Sequence, residues 1–359
     1  MMAENIPTMP GLTIASAAEA FILILVIPQY LPHNPFVWTF IRALAVNIGF
    51  YVLYTVFVYP FFLSPLRHLP KPKGALPLLG HGLSTFKKPP GEDFLKWVTE
   101  VPNDGLIHFR GLFYQDRLLL TNPLTLGEVL VQKSYDFEKP IKVRNFLRRI
   151  LGNGLIIVEG DEHRFQRKHI MPVFSFRHIK ELYPMMWKKA IALTQGVAAE
   201  VTDKLEYSRD ERAPTSIVEV NHWANKVTMD IIGIAGLGRE FDALKNSDDE
   251  LIQNYEEILE PSIEKTIYFA MQIIFGPIVN KLPWKINRRM TMTTGNLNRI
   301  CNQFVLDKRE AIKANADENF DILSVLIKSN NFSDQQLVDQ MLTFLAAGLV
   351  LHASLVLET

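Results

Sequence analysis

Cysteine is almost missing from this chain. Cys301 is the only one in 359 residues, which excludes an intrachain disulfide and suits a fold facing a reducing compartment. Net charge is missing too: 38 lysines and arginines offset 38 aspartates and glutamates, so no nucleic-acid partner is expected. The nine histidines are scattered, with no H-E-x-x-H pair, no C-x-x-C and no carboxylates at ligand spacing, so a protein-built metal centre is not expected. Neither a G-x-S-x-G elbow nor a Walker loop occurs. The glycine-rich GIAGLG at 233–238 follows a helical pattern, not a strand, and predicts helix termination with close packing rather than a phosphate cradle. No internal repeat or low-complexity tract is present.

Charge is scarcest near the start. From Asn5 to Leu66 only Glu19 and Arg42 carry it. Gly11 to Pro28 forms one apolar run and Phe36 to Leu63 a longer one, split by PQYLPHNP. The second reaches the ~20 residues that a bilayer span needs. The first is shorter and holds Glu19, so a second span, a signal-like segment and an interfacial helix stay open for it, with two buried core helices as the bland alternative. Arg67, Lys71, Lys73, Lys87 and Lys88 then precede the first acid, Glu92. Positive charge beside a span marks its cytosolic side. Pro65, Pro70, Pro72, Pro77, Pro89 and Pro90 oppose a helix there and predict an extended, fairly stiff arm. The expected division is a membrane anchor over 1–66, a basic proline-rich hinge over 67–90 and a folded domain over 91–359.

Within that domain, GLIHFRGLFYQDRLLLT at 105–121 reads as two strands, with Ile107 and Phe109 alternating and YQDR as the turn. Helix is expected after Pro123, and then over 177–204, 217–236, 247–267, 289–314, 319–329 and from 333 on. The uncharged 267–280 is too short to span and reads as a buried helix or as a patch in the headgroup region. In EGDEHRFQRKHIMP at 159–172 acids open the segment and bases close it, which complements a helix dipole and predicts a short helix. His163 and Arg167, four apart, share one face. A guanidinium beside a donor ring is a clamp suited to a carboxylate; a solvated surface helix is the alternative.

Five stretches in order carry a family resemblance: SPLRHLPKPKGALPLLGH, the two-strand unit, LGNGLIIVEGDEHRFQRKHIMPVFS, WANKVTMDIIGIAGLGREFDAL and DILSVLIKSNNFSDQQLVDQMLTFLAAG. Each is modest alone, and together they are specific. The chain resembles the N-terminal part of a fungal membrane-bound cytochrome P-450, a haem-thiolate monooxygenase. The resemblance implies a mainly α fold with a small β-sheet behind an N-terminal transmembrane anchor. It also implies haem as cofactor, an NADPH-dependent membrane reductase as electron partner and a hydrophobic small molecule as substrate. The implied location is the endoplasmic reticulum membrane, with the catalytic part facing the cytosol. In that family the helix at 161–169 carries W-x-x-x-R, whose side chains bind a haem propionate; His163 stands in the tryptophan position and Arg167 in the arginine position. The stretch at 267–280 corresponds to the family's substrate-entry region.

The last helix opens with a capping box, Ser333 and Gln336, and has an apolar stripe of Leu337, Val338, Met341, Leu342 and Leu345. In the family it crosses the haem and carries [AG]-G-x-[DE]-T. Ala347 and Gly348 supply the small pair of the oxygen pocket, but Val350 and Leu351 stand where the acid and threonine belong, and aliphatic side chains cannot relay a proton. No haem-binding loop with its ligand cysteine follows, and Cys301, in NRICNQFVLDKRE, is expected to be an ordinary half-buried thiol rather than a metal ligand. The expectation is therefore a C-terminally truncated or mis-spliced haem domain ending inside its oxygen-pocket helix, inactive as given. The alternative is a non-catalytic, membrane-anchored helical remnant.

Overall fold

The computed structural model describes residues 9–27, 35–87, 89, 91–207, 217–245, 249–259, 262–314 and 321–355. The chain divides into two compact units, Met1–Ser134 and Tyr135–Thr359.

The first unit begins with α1 (Met9–Val26) and α2 (Pro35–Leu53), which run antiparallel. The Asn47 amide donates to Ser16 Oγ at 3.0 Å and Glu19 Oε2 at 2.7 Å, so the apolar hairpin is held by a polar clasp. After α2 the chain continues in wide π turns over Tyr54–Leu63 that contain Pro60, a residue with no N–H for the regular helical ladder. Among the described residues, Phe36–Leu63 is the one helix long and apolar enough to cross a membrane, with a mean hydropathy of 1.7 and little of it buried. Gly11–Val26 is apolar but shorter.

Next come α3 (Glu92–Glu100) and an antiparallel pair, β1 (Leu106–Arg110) and β2 (Asp116–Leu120), with Phe109 opposite Arg117. The connection lies earlier than the expected YQDR, in a 3-10 turn over Leu112–Tyr114, so Asp116 and Arg117 belong to β2. Alternation predicts one buried face for β1, yet both are covered. Ile107 and Phe109 pack with Trp97 and Phe94, while His108 and Arg110 on the opposite face are also buried.

That second face is covered by charge pairing rather than by apolar side chains. Asp116 accepts from His108 Nε2 at 2.7 Å, from Ser64 Oγ at 2.9 Å and from Arg110, whose other nitrogen reaches the Pro60 carbonyl at 3.2 Å. Burial disfavours the Asp116 carboxylate, but these partners outweigh it and hold its pKa below the ordinary value. The proline-rich segment is also more folded than an extended arm. It lies against β1 through His108 N to Pro70 O at 2.9 Å and His81 N to Arg110 O at 2.6 Å, with a bridge between Leu76 and Gly80. Helix α4 (Pro123–Gly127) follows, its Asn122 cap accepting from Thr125 N.

The second unit is helical: α5 (Ile141–Leu151), α6 (Gly160–Ile170), α7 (Phe176–Tyr207), α8 (Val220–Ile232), α9 (Glu250–Leu259), α10 (Ile263–Phe275), α11 (Lys285–Lys313), α12 (Ile322–Ser329) and α13 (Asp334–Leu355). Sequence reading predicts neither α3 nor α5. The single helix expected over 247–267 is two: α9 ends at Leu259, and Ser262 starts a new cap by accepting from Lys265 N. GIAGLG closes α8 in a π turn that ends at Gly238 with φ +71°, and a Cβ on Gly233 would lie 2.5 Å from the Phe241 ring. At the centre lies α13, packed against α5, α8, α9, α11 and α12, with Leu337, Val338, Met341, Leu342 and Leu345 no more than 1 % exposed.

Candidate functional site

The candidate site is built on α6, and what aims this helix is the loop before it. Residues 151–158 lie flat on α13: Asn153 N donates to Asp339 Oδ2 at 2.9 Å and Leu155 N to Gln340 Oε1 at 3.1 Å. Contact this close requires glycine. A Cβ on Gly152 would lie 2.0 Å from Asp339 Oδ1, and one on Gly154 would lie 1.9 Å from Thr343 Oγ1. Gln166, fully buried on the inner face of α6, donates to Asn153 O at 3.0 Å and accepts from Gln340 Nε2 at 2.7 Å. These amides lock α6 to α13 and fix which way its other residues face.

His163 and Arg167 stand together one helical turn apart. The His163 ring meets Tyr135 edge-on at 5.6 Å, and its Nδ1 pairs with the Tyr135 hydroxyl at 3.1 Å. With the hydroxyl as donor, the imidazole proton resides on Nε2. Burial, then the positive charges of Lys139 and Arg167, lower the His163 pKa against the opposing pull of Glu159, so the ring is neutral at pH 7. Arg164 lies 4.3 Å over the Tyr135 ring. Among the described residues Arg167 is exposed and finds no hydrogen-bond or ion-pair partner.

Glu159, at the start of α6, accepts from the Lys139 backbone and ammonium, both at 3.0 Å. Burial works against its charge, but those bonds lower its pKa overall. The site therefore offers one neutral N–H donor and one unpartnered guanidinium within a helical turn. That set fits a carboxylate, the guanidinium through a planar fork matched to two oxygens.

The remaining sequence candidates lie elsewhere. Ala347, part-buried, and Gly348 extend α13 past its apolar stripe. Val350 and Leu351 continue the same helix, and their side chains lie outside the described residues. Cys301 is in α11, fully buried in the hydrophobic core, and burial pushes its thiol up to about 12, the opposite of what a thiolate ligand needs. Among the described residues no three of His, Cys, Asp or Glu gather as a metal site.

The stretch at 267–280 has two faces. Tyr268, Gln272 and Val279 are buried, while Ile267, Phe275 and Ile278 are more than half exposed. Arg149 ties it to the core, donating to Tyr268 OH at 2.6 Å, Asn280 Oδ1 at 2.8 Å and Asn287 Oδ1 at 2.9 Å. Sequence reasoning missed Tyr135, Gln166, Asp339, Gln340 and Arg149. The only sequence signal for Asp339 and Gln340 was the pair Gly152 and Gly154, which marks a close backbone approach without naming its partner.

The family described as Cytochrome P450 matches residues 70–351 of this chain. Cytochrome P450 monooxygenase sphH of Aspergillus fumigatus is 36% identical over 302 residues, covering 83% of this chain and 54% of the relative. Cytochrome P450 monooxygenase ALT8 of Alternaria alternata is 34% identical over 322 residues (84% and 54%), and cytochrome P450 monooxygenase FUM15 of Gibberella moniliformis 36% over 305 (82% and 50%). The chain spans about half the length of these curated relatives.

Proposed function

Because this chain belongs to the cytochrome P450 family, whose cofactor is haem iron, we propose that it serves a haem-dependent monooxygenase. The reaction would place one oxygen atom of dioxygen into a hydrophobic small molecule, with electrons from an NADPH-dependent membrane reductase. Haem iron would supply the oxygen-activating chemistry. The residues of this chain hold and shape. Arg167 and His163 would hold a haem propionate, Tyr135 would orient the imidazole, and the Gln166–Gln340 pair holds α6 against α13, on which Ala347 and Gly348 would line the oxygen pocket.

We further propose that 1–66 anchor the protein in the endoplasmic reticulum membrane, that 67–90 form the hinge and that 91–359 face the cytosol. The exposed apolar side of 267–280 would then rest at the bilayer surface, beside the substrate entry. One observation favours a second reading, a non-catalytic anchored helical protein: aliphatic Val350 and Leu351 stand where the family places its proton relay.

The observation that carries the haem reading is the paired His163 and Arg167 within the matched region. Fluorescence titration with metal-free protoporphyrin tests the clamp without an iron ligand. Protoporphyrin should bind about 10-fold or more tightly than its dimethyl ester, as one charge-assisted bond implies, and Arg167→Ala should abolish that difference. Equal binding of acid and ester refutes the assignment. A thiolate-type spectrum from the reduced, carbon-monoxide-bound haem complex of this chain would instead overturn the exclusion of Cys301.

A further inference from the structure

Arg149 is an arginine without an acid. Half-buried on α5, its guanidinium donates to neutral oxygens of α10, α11 and the turn between them: Tyr268 OH, Asn280 Oδ1, Asn287 Oδ1 and Thr291 Oγ1. Among the described residues no carboxylate pairs with it. A guanidinium met by neutral acceptors alone lacks the anion that its charge and planar fork favour. Thr291 is the exposed member of this set, and its hydroxyl also donates to Asn287 O at 2.8 Å. Arg288, three residues earlier on the same helix face, is exposed, and among the described residues its side chain has no partner. Two guanidiniums thus flank one exposed hydroxyl. The next base, Arg289, pairs with Glu257 at 3.3 Å.

The stretch Arg288-Arg289-Met290-Thr291 sets arginines three and two residues before the hydroxyl, a spacing that basic-directed protein kinases read in an extended segment. Local opening can supply that segment. Helix α11 starts at Lys285 without a side-chain cap, an uncapped end unravels at low cost, and Thr291 lies in its second turn. Thr293 and Thr294 do not compete, because both are buried. We propose that Thr291 is a phosphorylation site and that its phosphate captures Arg149. The terminal phosphoryl group of ATP passes to Thr291: the Oγ1–P bond forms, the bond to ADP breaks, and the hydroxyl proton goes to the kinase's base. The product carries about −1.5 to −2 charges at pH 7 and three acceptor oxygens. Arg149 turns its fork onto them, and Arg288 joins from the same face. Tyr268 and Asn280 thereby lose the guanidinium that ties 267–280 to α5, and the segment loosens. If 267–280 flanks the substrate entry, Thr291 controls access to it; the modification and the loosening stand without that reading.

The full chain, purified in detergent, is incubated with ATP and the catalytic subunit of a cyclic-AMP-dependent protein kinase. Fragment-ion mass spectrometry then locates the phosphate. It should sit on Thr291, and Arg288→Ala should slow its addition by about tenfold or more, as loss of one charged contact implies. Hydrogen exchange of 263–281 should quicken by about tenfold or more on modification, since a charge-assisted tether is released. Thr291→Val treated with kinase should keep the slow rate. Arg149→Gln, with unchanged helix content by circular dichroism, should exchange fast at 263–281 before modification and gain nothing from it. A native chain left unmodified at Thr291, while a synthetic peptide of 285–296 is modified, overturns the site. Unchanged exchange in the phosphorylated wild type, or a further rise in Arg149→Gln, overturns the capture of Arg149. Neither readout uses haem, so failure here leaves the haem reading standing, and failure of protoporphyrin binding leaves this site untouched.

Discussion

Substituting Gly154 by alanine tests how α6 is held. Gly154 has no positive φ, so alanine is compatible with its backbone and the effect is steric. The new Cβ would lie 1.9 Å from Thr343 Oγ1 and 2.5 Å from the Asp339 carbonyl oxygen. A rotamer change could relieve the first contact, but the second is helix backbone and cannot yield without moving α13. The loop must lift, and lifting breaks Asn153 N to Asp339 and Leu155 N to Gln340. Overpacking of ~1–3 kcal/mol and two part-buried hydrogen bonds of ~1 kcal/mol each bring the expected loss to about 3–5 kcal/mol. For a unit of this size that lowers Tm by roughly 6–20 °C.

Thermal and urea unfolding of the chain in detergent, followed by circular dichroism, measures the change. Thr343→Ala in the same background should recover only about 1 kcal/mol, because the Asp339 carbonyl remains in the way. Gly295, on α11 with nothing within 4 Å of its would-be Cβ, is the control: alanine there should stabilise by about 1 kcal/mol through helix propensity. A Gly154→Ala protein within 0.5 kcal/mol of wild type would refute the steric account and the close seating of α6 on α13.

Asp116→Asn should destabilise the first unit by about 3 kcal/mol, because it leaves the buried Arg110 and His108 without their shared carboxylate; limited proteolysis should then cut faster between 64 and 75, and an unchanged cleavage rate would count against the network. His163 resists protonation in the folded chain relative to its ordinary 6.5. Below that pH the unfolded state takes up the proton more readily, so stability should fall as pH drops through 6.5 toward the lowered value; Thermal melts across pH should show a shallower decline in His163→Gln, and identical pH profiles would refute it. Cys301 should react with a thiol reagent at least ~100-fold more slowly in the native chain than in denaturant, and fast native labelling would remove it from the core.

Much of the helical pattern was legible in the chain. The stripe Leu337, Val338, Met341, Leu342 and Leu345 falls on one face at a 3.6-residue period and is the buried face of α13. The acid-to-base order of 159–172 similarly marks α6. Helix α5 escaped because its charged residues Lys142, Arg144, Arg148 and Arg149 mask an amphipathic stripe whose anchors, Ile150 and Leu151, fall in the last turn. The turn in 105–121 was misplaced because Asp116, a turn former by composition, is held in β2 by His108 and Arg110 across the sheet.

Local chemistry in the sequence thus determined which segments are apolar, where the strongly patterned helices such as α6 and α13 lie, and that His163 and Arg167 share a face, since each depends on neighbours within about one turn. Only the tertiary structure decided that Gln166 meets Gln340 across 174 positions, that Asp116 gathers Ser64 from 52 positions away, and that Cys301 is sealed among core side chains. Those outcomes depend on which distant surfaces exclude water from each other, and buried polar groups take whichever partner that packing brings within hydrogen-bond reach.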